Sequence, residues 1–328
     1  MIDALLLGTG AMIPLPKRWL SSVLLRVEGS LILLDCGEGT QITWRQFRWG
    51  YKRLDAICLT HHHADHVAGL PGLFHTVANA GRTEPMHIYG PAGTIEIIQG
   101  LRVIAPHLPY DMIVHELADG AAFELPAGLR GRVAAGEHRV PVLGYRFDLP
   151  RTPGFQVGKA QALGVPQPLW GTLQQGEPVT VDGRVVTPEE VMGPARKGVS
   201  LGFVTDTRPT PALRDLVAGV DLLISEGTYG DDAAAEGAAQ WGHMTFRQAA
   251  TMARDAGVGA LWLTHFSAGM TDPAAWLHNA TEVFPNTTLG STGLEGRITF
   301  RGGYEPAGRI SVEAPSPASV ASMKAEIS

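Results

Sequence analysis

A run of histidines and one aspartate directly follows a short apolar segment, and this junction constrains the chain more than any other feature of its sequence. Residues 56–59 read AICL, and residues 60–66 read THHHADH. A short apolar segment that ends at polar residues is typical of a buried strand. Because zinc accepts neutral imidazoles and carboxylates as ligands, the run predicts a metal site at the end of that strand.

The spacing of the candidate ligands within the run favours two metals over one. The candidates stand at positions i, i+2, i+4 and i+5, and they are His61, His63, Asp65 and His66. An incidental His-rich surface loop or an expression tag is the alternative, but a tag lies at a terminus and lacks both the aspartate and the preceding strand. Asp65 can also cap a helix that starts near Val67, and the two roles are compatible.

Three more candidate ligands lie beside apolar segments elsewhere in the chain. They are His138, Asp206 and His265, in the segments GEHRVP, TDT and THFS. Two metals need more ligands than the histidine run supplies, so these side chains are the first candidates. From context alone each of them stays open, because a single histidine is more often hydrogen-bonded or exposed, and a single aspartate is often a turn former.

Short apolar segments recur along the chain and stop at glycine or at a possible ligand such as Asp206, Glu226 or His265. We predict strands at residues 4–7, 22–27, 31–35, 56–59, 201–204, 222–225 and 261–263, and helices at residues 40–49 and 246–256. Layered α/β folds place their chemistry at the ends of such strands. The predicted fold class is therefore α/β.

The composition is that of a globular protein without a membrane span. Of 328 residues, 45% are hydrophobic and 18% are charged, and no apolar stretch reaches the roughly 20 residues that a bilayer span requires. The N-terminus lacks the basic start of a signal peptide. Cys36 and Cys58, the only cysteines, lie in apolar segments, so we expect buried, reduced thiols and a cytoplasmic protein. The net charge of −6 means that any nucleic-acid contact must use a local basic patch.

Two segments differ in composition from the rest of the chain. Residues 150–197 are rich in Gly, Pro, Gln and Thr and show little periodicity outside 179–181 and 185–186, which predicts an inserted arm or an extended loop. Residues 304–328 are rich in Pro, Ala, Ser and Glu, and we expect them to be disordered in part. The main domain is accordingly assigned to residues 1–303.

The histidine run resembles the signature T-H-x-H-x-D-H of the metallo-β-lactamase superfamily. Further segments resemble motifs of one branch, the ribonuclease Z family, and the resemblance covers residues 5–300. These segments are PLPKR at 14–18, DCGEGTQ at 35–41, GLPGL at 69–73, TDTRP at 205–209 and GHMT at 242–245.

The resemblance implies an αββα sandwich with an inserted flexible arm at residues 150–197. It also implies a zinc-dependent phosphodiesterase that removes the 3′ trailer of pre-tRNA endonucleolytically by means of a metal-activated hydroxide. One of two zinc ions would be held by His61, His63 and His138, and the other by Asp65, His66 and His265. Asp206 would bridge the two ions, and manganese or another divalent metal can also occupy such sites.

The resemblance assigns catalytic roles to Asp65 and His243. Asp65 would orient the attacking water or accept its proton, and His243 would contact the scissile phosphate or protonate the leaving 3′-oxygen; an exposed histidine at a helix N-terminus is the alternative for His243. The family further implies a homodimer with an RNA substrate and no membrane partner. His62 fills a variable position of the signature, and the remaining histidines match no ligand motif: His75, His87, His107, His115 and His278.

The chain departs from the family pattern at three places. Gln167 stands where the Gly-Pro motif of the arm usually has glycine, Ala268-Gly269-Met270 replaces an Arg-Tyr pair after THFS, and Thr205 replaces the glycine before Asp206. The arm carries four cations against four anions between residues 155 and 198, whereas a surface that grips RNA phosphates should be cationic. A related hydrolase for a small or cyclic phosphodiester therefore stays open as an alternative.

Two other function classes are weaker alternatives. A non-catalytic RNA-binding scaffold has no reason to retain seven ligands, and the redox di-iron branch of the fold uses a carboxylate where His63 stands.

One basic cluster with interleaved aromatic residues suits the binding of RNA by stacking and phosphate contacts. A helix that packs its aromatic side chains inward and exposes its cations has the same sequence pattern. The residues of the cluster are Lys17, Arg18, Arg45, Arg48, Lys52 and Arg53, with Trp44, Trp49 and Tyr51.

Overall fold

A computed structural model describes residues 1–309 of the chain, and these divide into two compact units. The larger unit comprises residues 1–149 and 199–309, and the smaller unit is Pro150–Gly198. Within residues 1–309 no helix has both the length and the apolar character that a membrane crossing requires.

The strands, in chain order, are β1 (Ile2–Gly8), β2 (Ser22–Val27), β3 (Ser30–Leu34), β4 (Leu54–Cys58), β5 (Met86–Gly90), β6 (Met112–Glu116), β7 (Ala122–Glu124), β8 (Arg130–Ala135), β9 (Leu143–Arg151), β10 (Val179–Val181), β11 (Arg184–Val186), β12 (Arg196–Val204), β13 (Leu222–Glu226), β14 (Leu261–Thr264), β15 (Thr287–Leu289), β16 (Leu294–Thr299) and β17 (Gly303–Arg309). The α-helices are α1 (Thr40–Arg45), α2 (Ala64–Val67), α3 (Leu70–Asn79), α4 (Thr94–Leu101), α5 (Val157–Ala162), α6 (Trp170–Gln174), α7 (Pro188–Val191), α8 (Pro211–Leu216), α9 (Ala235–Trp241), α10 (Phe246–Asp255) and α11 (His278–Thr281).

Two sheets face each other in the larger unit. One has eight strands in the order β17-β16-β1-β2-β3-β4-β5-β6, and the other has seven in the order β15-β14-β13-β12-β9-β8-β7. Apolar residues of both sheets form one buried core, to which Ile32 contributes from the first sheet and Phe203 and Trp262 from the second. Because β3 is covered on both faces, all its residues are buried, and its sequence after Ser30, LILL, is apolar without alternation.

Helices cover the outer face of each sheet. α1, α3 and α4 bury Trp44, Phe74 and Ile98 against the first sheet. α8 and α10 bury Leu213 and Phe246 against the second. The four layers are therefore helix, sheet, sheet and helix, and the predicted αββα sandwich is confirmed.

The smaller unit has its own core and more regular structure than its composition indicates. α5, α6 and α7 and the hairpin of β10 and β11 bury Ala160, Leu173 and Val186 together. Asp182 and Gly183 form the hairpin turn with φ of 47° and 81°, the left-handed pair that suits a two-residue turn. The periodicity is weak because each element is only three to six residues long.

Two predicted boundaries are wrong. The helix expected at residues 40–49 ends at Arg45, since Arg48 adopts a left-handed φ of 55° that no helix can continue. Residues 304–309, assigned to the disordered tail, belong to β17 and pair with β16, where Tyr304 accepts a hydrogen bond from the buried Trp262 indole at 2.9 Å. Residues 310–328 lie outside the described part of the chain.

Candidate metal centre

All seven predicted ligands converge on one place at the ends of five segments. His61 and His63 lie in the loop after β4, and Asp65 and His66 lie on the single turn of α2 that follows. The other three come from the loop between β8 and β9, from the end of β12 and from the end of β14: His138, Asp206 and His265. The parallel strands β12, β13 and β14 end side by side, which explains why residues far apart in sequence meet here.

Four of the candidate ligand atoms form a first group. His63 Nδ1 lies 3.0 Å from His61 Nε2 and 3.3 Å from His138 Nε2. The Oδ2 atom of Asp206 lies 3.8 Å from the Nε2 atoms of both His61 and His138. The four side chains thus present three nitrogens and one oxygen to a common point.

A second group shares Asp206 with the first. His66 Nε2 lies 3.2 Å from His265 Nε2, and the two nitrogens lie 3.6 and 3.5 Å from Asp65 Oδ2. The other carboxylate oxygen of Asp206, Oδ1, is 3.3 Å from His66 Nε2 and 3.1 Å from His265 Nε2. Asp206 therefore turns one oxygen to each group, which is the arrangement of a bridging carboxylate.

These separations fit a divalent metal. Ligand atoms that surround a tetrahedral zinc at about 2.0–2.2 Å lie about 3.3–3.6 Å from one another. The separations between the named pairs of atoms are 3.0–3.8 Å, and the atoms of each candidate set all lie within 4.8 Å of one another. Nitrogen and oxygen donors in this mixture suit zinc and also other first-row divalent metals. The site is a candidate centre for divalent metal binding.

Buried partners orient the ligand rings from behind. Asp35 Oδ2 lies 2.8 Å from His66 Nδ1, and Asp35 Oδ1 accepts a hydrogen bond from the Thr60 backbone N–H at 2.8 Å. On the opposite side, His138 Nδ1 donates to the Gly242 carbonyl at 3.0 Å. Such contacts leave the other ring nitrogen to face the metal and set its direction.

A second buried carboxylate, Glu226, ties three loops together beneath the site. It accepts hydrogen bonds from the backbone N–H groups of Thr207 at 2.7 Å and Met244 at 3.1 Å, and from Thr228 Oγ1 at 2.6 Å. Thr228 Oγ1 in turn lies 3.1 Å from His265 Nδ1. Glu226 belongs to neither ligand group, and its role is to hold the loops that carry the ligands.

Three residues at strand ends have left-handed backbone conformations, which raise the free energy of the folded state for residues other than glycine. Asp35, Asp206 and His265 have φ of 56°, 50° and 58°. The left-handed region costs of order 1–2 kcal/mol for such residues. Each side chain is buried in the site, so the strain turns a ligand or its partner inward where the strand would otherwise continue.

Burial and charge set the protonation of the centre. Burial keeps the pKa of His61, His63 and His138 below the usual value for histidine, as metal ligation by neutral imidazole requires. Burial opposes ionisation of Asp206, but the surrounding histidines, His265 and His66 foremost, lower its pKa well below the usual range.

His243 lies against the centre and forms a further set of three candidate ligand atoms with Asp206 and His265. Its ring is 5.1 Å from the His138 ring and 5.8 Å from the His265 ring, between centroids. Its Nδ1 lies 3.3 Å from Glu226 Oε2 and 3.9 Å from Asp206 Oδ2. Burial disfavours its charged form, but Glu226, followed by Asp206, raises its pKa to about 9. A cationic side chain at this edge can contact a phosphate.

The other histidines take no part in the two groups. His62 turns away, with Nε2 2.8 Å from Thr94 Oγ1. His87 Nδ1 and His115 Nε2 lie 3.0 Å apart on β5 and β6. Within residues 1–309, none of His62, His75, His87, His107, His115 and His278 belongs to a set of three or more candidate metal ligands.

The aromatic side chains of the basic cluster pack inward. Trp44 is fully buried, the Tyr51 hydroxyl donates to the Gln41 carbonyl at 2.8 Å, and the Arg26 guanidinium covers the Trp49 ring at 4.1 Å. Arg18 donates to backbone carbonyls of the loop after His265 at 2.7–3.3 Å. Of the two alternatives for this cluster, the structure favours inward aromatics over a stacking surface for RNA.

Sequence analysis missed the supporting residues around the ligands. Asp35 was noted only as part of a motif, and Glu226 only as a possible ligand at a strand end. Thr60 appeared only as the first residue of the histidine run, and Thr228 had no sequence signal. Asp35 and Glu226 could have been found from their position at the end of an apolar segment, because Asp206 and His265 occur at the same kind of position.

Comparison with known proteins places the chain in a family. A model of the Metallo-beta-lactamase superfamily matches residues 20–193, and a Beta-lactamase superfamily domain model matches residues 188–266. The curated protein named Ribonuclease Z of Lachnospira eligens is 41% identical over 300 residues, which cover 92% of this chain and 99% of its own length. Ribonuclease Z of Clostridioides difficile is 42% identical over 304 residues, with 92% and 99% covered.

Solved structures agree with this placement. The crystal structure of human tRNase Z, short form, matches with a TM-score of 0.64 and 26% identity over 95% of this chain and all of that one. The metallo-beta-lactamase fold protein YhfI of Bacillus subtilis shares the fold, with a TM-score of 0.65, 19% identity, and coverage of 90% and 98%. With relatives more than 40% identical along nearly their whole length, the chain belongs to the ribonuclease Z family of the metallo-β-lactamase superfamily.

Proposed function

We propose that this protein is an endoribonuclease that cuts the 3′ trailer from pre-tRNA, with two zinc ions in the seven-ligand centre. The observation that carries the proposal is the shared Asp206 carboxylate, which faces one complete ligand group with each oxygen. The family relatives named Ribonuclease Z and the human tRNase Z support the choice of an RNA substrate.

The two ligand groups would provide two metal-binding positions. His61, His63 and His138 would hold one zinc ion, Asp65, His66 and His265 would hold the other, and Asp206 would bridge them. Bound there, the two ions would activate a water molecule at neutral pH and offset the negative charge of the phosphate.

The position of Asp65 suits it to orient and deprotonate the attacking water. Its Oδ2 atom accepts a hydrogen bond from the Met12 backbone N–H at 2.7 Å, which fixes the direction of the carboxylate. We propose that Asp65 orients the water and takes up its proton as the new bond to phosphorus forms. The bond that breaks joins phosphorus to the 3′-oxygen, so the products are a 3′-hydroxyl on the tRNA and a 5′-phosphate on the trailer.

His243 is placed to serve the leaving group. The Glu226 carboxylate, 3.3 Å from Nδ1, orients the ring and stabilises a proton on it. We propose that Nε2 donates a hydrogen bond to the scissile phosphate and then protonates the leaving 3′-oxygen. The attacking and leaving oxygens lie on opposite sides of phosphorus in an in-line displacement, and Asp65 and His243 would serve one side each.

Cleavage of a pre-tRNA that carries a 3′ trailer tests the function. The purified protein should release the trailer directly after the discriminator nucleotide. The variant Asp65→Ala should lose activity by about 100- to 10,000-fold, the range for loss of a general base. Asp111→Ala, which removes an exposed carboxylate outside the site, is the matched control and should retain activity. Trailer release by Asp65→Ala at the wild-type rate would rule out the mechanism.

We also propose that the protein works as a homodimer in the cytoplasm. Val103 and Ile104, adjacent in the chain, are 76% and 70% exposed, and large exposed apolar side chains favour association. Cys36 and Cys58 are free and buried, which suits a reducing compartment. Light scattering would measure the mass in solution, and cell fractionation would locate the protein.

A further inference from the structure

A tryptophan and an arginine stack on each other at the edge of the metal centre. The Arg139 guanidinium carbon lies 3.5 Å from the centroid of the Trp241 ring. Trp241 is nevertheless 44% exposed, and Arg139 is exposed as well. Among the described residues no carboxylate forms an ion pair with Arg139. The pair therefore presents an aromatic surface and an unneutralised cation to solvent.

Chain connectivity and one hydrogen bond place this pair beside the candidate ligands. Arg139 directly follows His138, and Trp241 is separated from His243 by Gly242 alone. The Gly242 carbonyl accepts the hydrogen bond from His138 Nδ1 at 3.0 Å. Gly242 has a left-handed φ of 74°, and a Cβ atom there would lie 2.7 Å from His138 Nδ1. The two chain segments are thus in direct contact, and the stacked pair has a fixed position beside the centre.

We propose that Arg139 and Trp241 bind the nucleotide that carries the leaving 3′-oxygen, the last nucleotide retained in the mature tRNA. This inference rests on the proposed function, in which His243 serves the leaving side and Asp65 the attacking side. Because Trp241 and Arg139 adjoin His243 and His138, they lie on the leaving side. Arg139 covers one face of the indole, and the exposed remainder of Trp241 receives the base.

The chemistry of the pair suits a nucleotide of any sequence. Stacking on an aromatic ring accepts all four bases, because each has a π face. A guanidinium whose carbon lies over an indole still has N–H groups that can donate to phosphate oxygens. The pair would therefore position the RNA strand without selecting a base, as an enzyme that processes many tRNAs requires.

Single-turnover cleavage of pre-tRNA by Trp241→Ala tests the stacking. We expect kcat/KM to fall by about tenfold or more, the effect of removing one base-stacking ring, with unchanged metal content and melting temperature. Trp241→Phe retains an aromatic ring and should recover most of the activity. Arg139→Ala should also lower kcat/KM, whereas Arg130→Ala, which removes an exposed arginine at the start of β8, should not.

An abasic substitution in the RNA separates a substrate contact from a structural role. Removing the base of the last retained nucleotide should slow the wild-type enzyme but add little to the loss in Trp241→Ala, since both changes remove one interaction. Additive losses, a wild-type rate for Trp241→Ala, or coupling to the first trailer nucleotide would each overturn the assignment. Failure of the wild-type enzyme to cleave pre-tRNA at all would instead contradict the proposed function.

Discussion

At the scale of single residues, Asp35 shows how a buried carboxylate orients a candidate metal ligand, His66. Its carboxylate lies 2.8 Å from His66 Nδ1 and accepts the Thr60 backbone hydrogen bond, and its backbone is left-handed. Aspartate and asparagine tolerate that backbone better than other side chains. The substitution Asp35→Asn therefore removes the charge with little backbone cost.

We expect Asp35→Asn to lower metal affinity or activity by about 10- to 100-fold, the usual effect of removing a carboxylate that supports a ligating histidine. Titration with a competing chelator measures the affinity. Asp3→Asn is the matched control, because Asp3 is a buried carboxylate paired with Arg26 and Arg297 on the first sheet. That control should lower the melting temperature and leave metal affinity alone. If Asp35→Asn and the wild-type protein lose metal at the same chelator concentration, the proposal that Asp35 supports His66 is contradicted.

The ligands were easier to predict from the sequence than their supporting residues. Four of the seven stand within residues 61–66, and their types and spacing are specific to metal binding. Asp35 and Thr228, by contrast, act through contacts with His66 and His265 that span 31 and 37 residues. Aspartate and threonine are common residues, so only the folded structure distinguishes these from others of their type.

At the scale of elements, each of the seven predicted strands corresponds to an observed strand, but β5–β9 and β15–β17 were not predicted, and one of the two predicted helices ends earlier than expected. A strand buried on both faces needs a continuous apolar sequence, such as LLI in β13, and this pattern is visible without a structure. A helix end depends on one or two backbone angles, and Arg48 supplies a left-handed residue with no sequence signal. The end of α9 is easier to predict from the sequence, since its left-handed C-terminal cap is a glycine, Gly242.

The substitution Gly242→Ala tests the junction between α9 and the metal centre. A left-handed alanine costs of order 1–2 kcal/mol, and its Cβ would also displace His138, 2.7 Å away. We expect lower stability in chemical denaturation and less bound metal per chain. Gly237→Ala lies inside the same helix with no atom within 4 Å of the added Cβ, and it should be neutral or stabilising by up to about 1 kcal/mol. Full metal occupancy in Gly242→Ala would show that His138 does not depend on this cap.

At the scale of the whole molecule, the candidate metal centre belongs to one compact unit and the inserted segment forms another. All seven candidate ligands lie in the larger unit, and Pro150–Gly198 has its own core. Its composition indicated an arm but concealed that core, because Ala160, Leu173 and Val186 lie 13 residues apart, too far for a helical or strand repeat to connect them. Small cores of this kind arise from tertiary contacts that sequence patterns do not record.

The substitution Leu173→Ala tests whether this unit serves the RNA substrate. Leu173 is fully buried in the core of the smaller unit, and a leucine-to-alanine change in a core costs about 2–5 kcal/mol. Hydrogen exchange should accelerate in residues 150–198 and remain slow in β13 and β14. Cleavage of pre-tRNA should then slow, while hydrolysis of bis-p-nitrophenyl phosphate, which needs only the metal centre, should continue at the wild-type rate. An equal fall with both substrates would mean that the unit supports the centre itself, and no change with either would favour a small phosphodiester as the natural substrate.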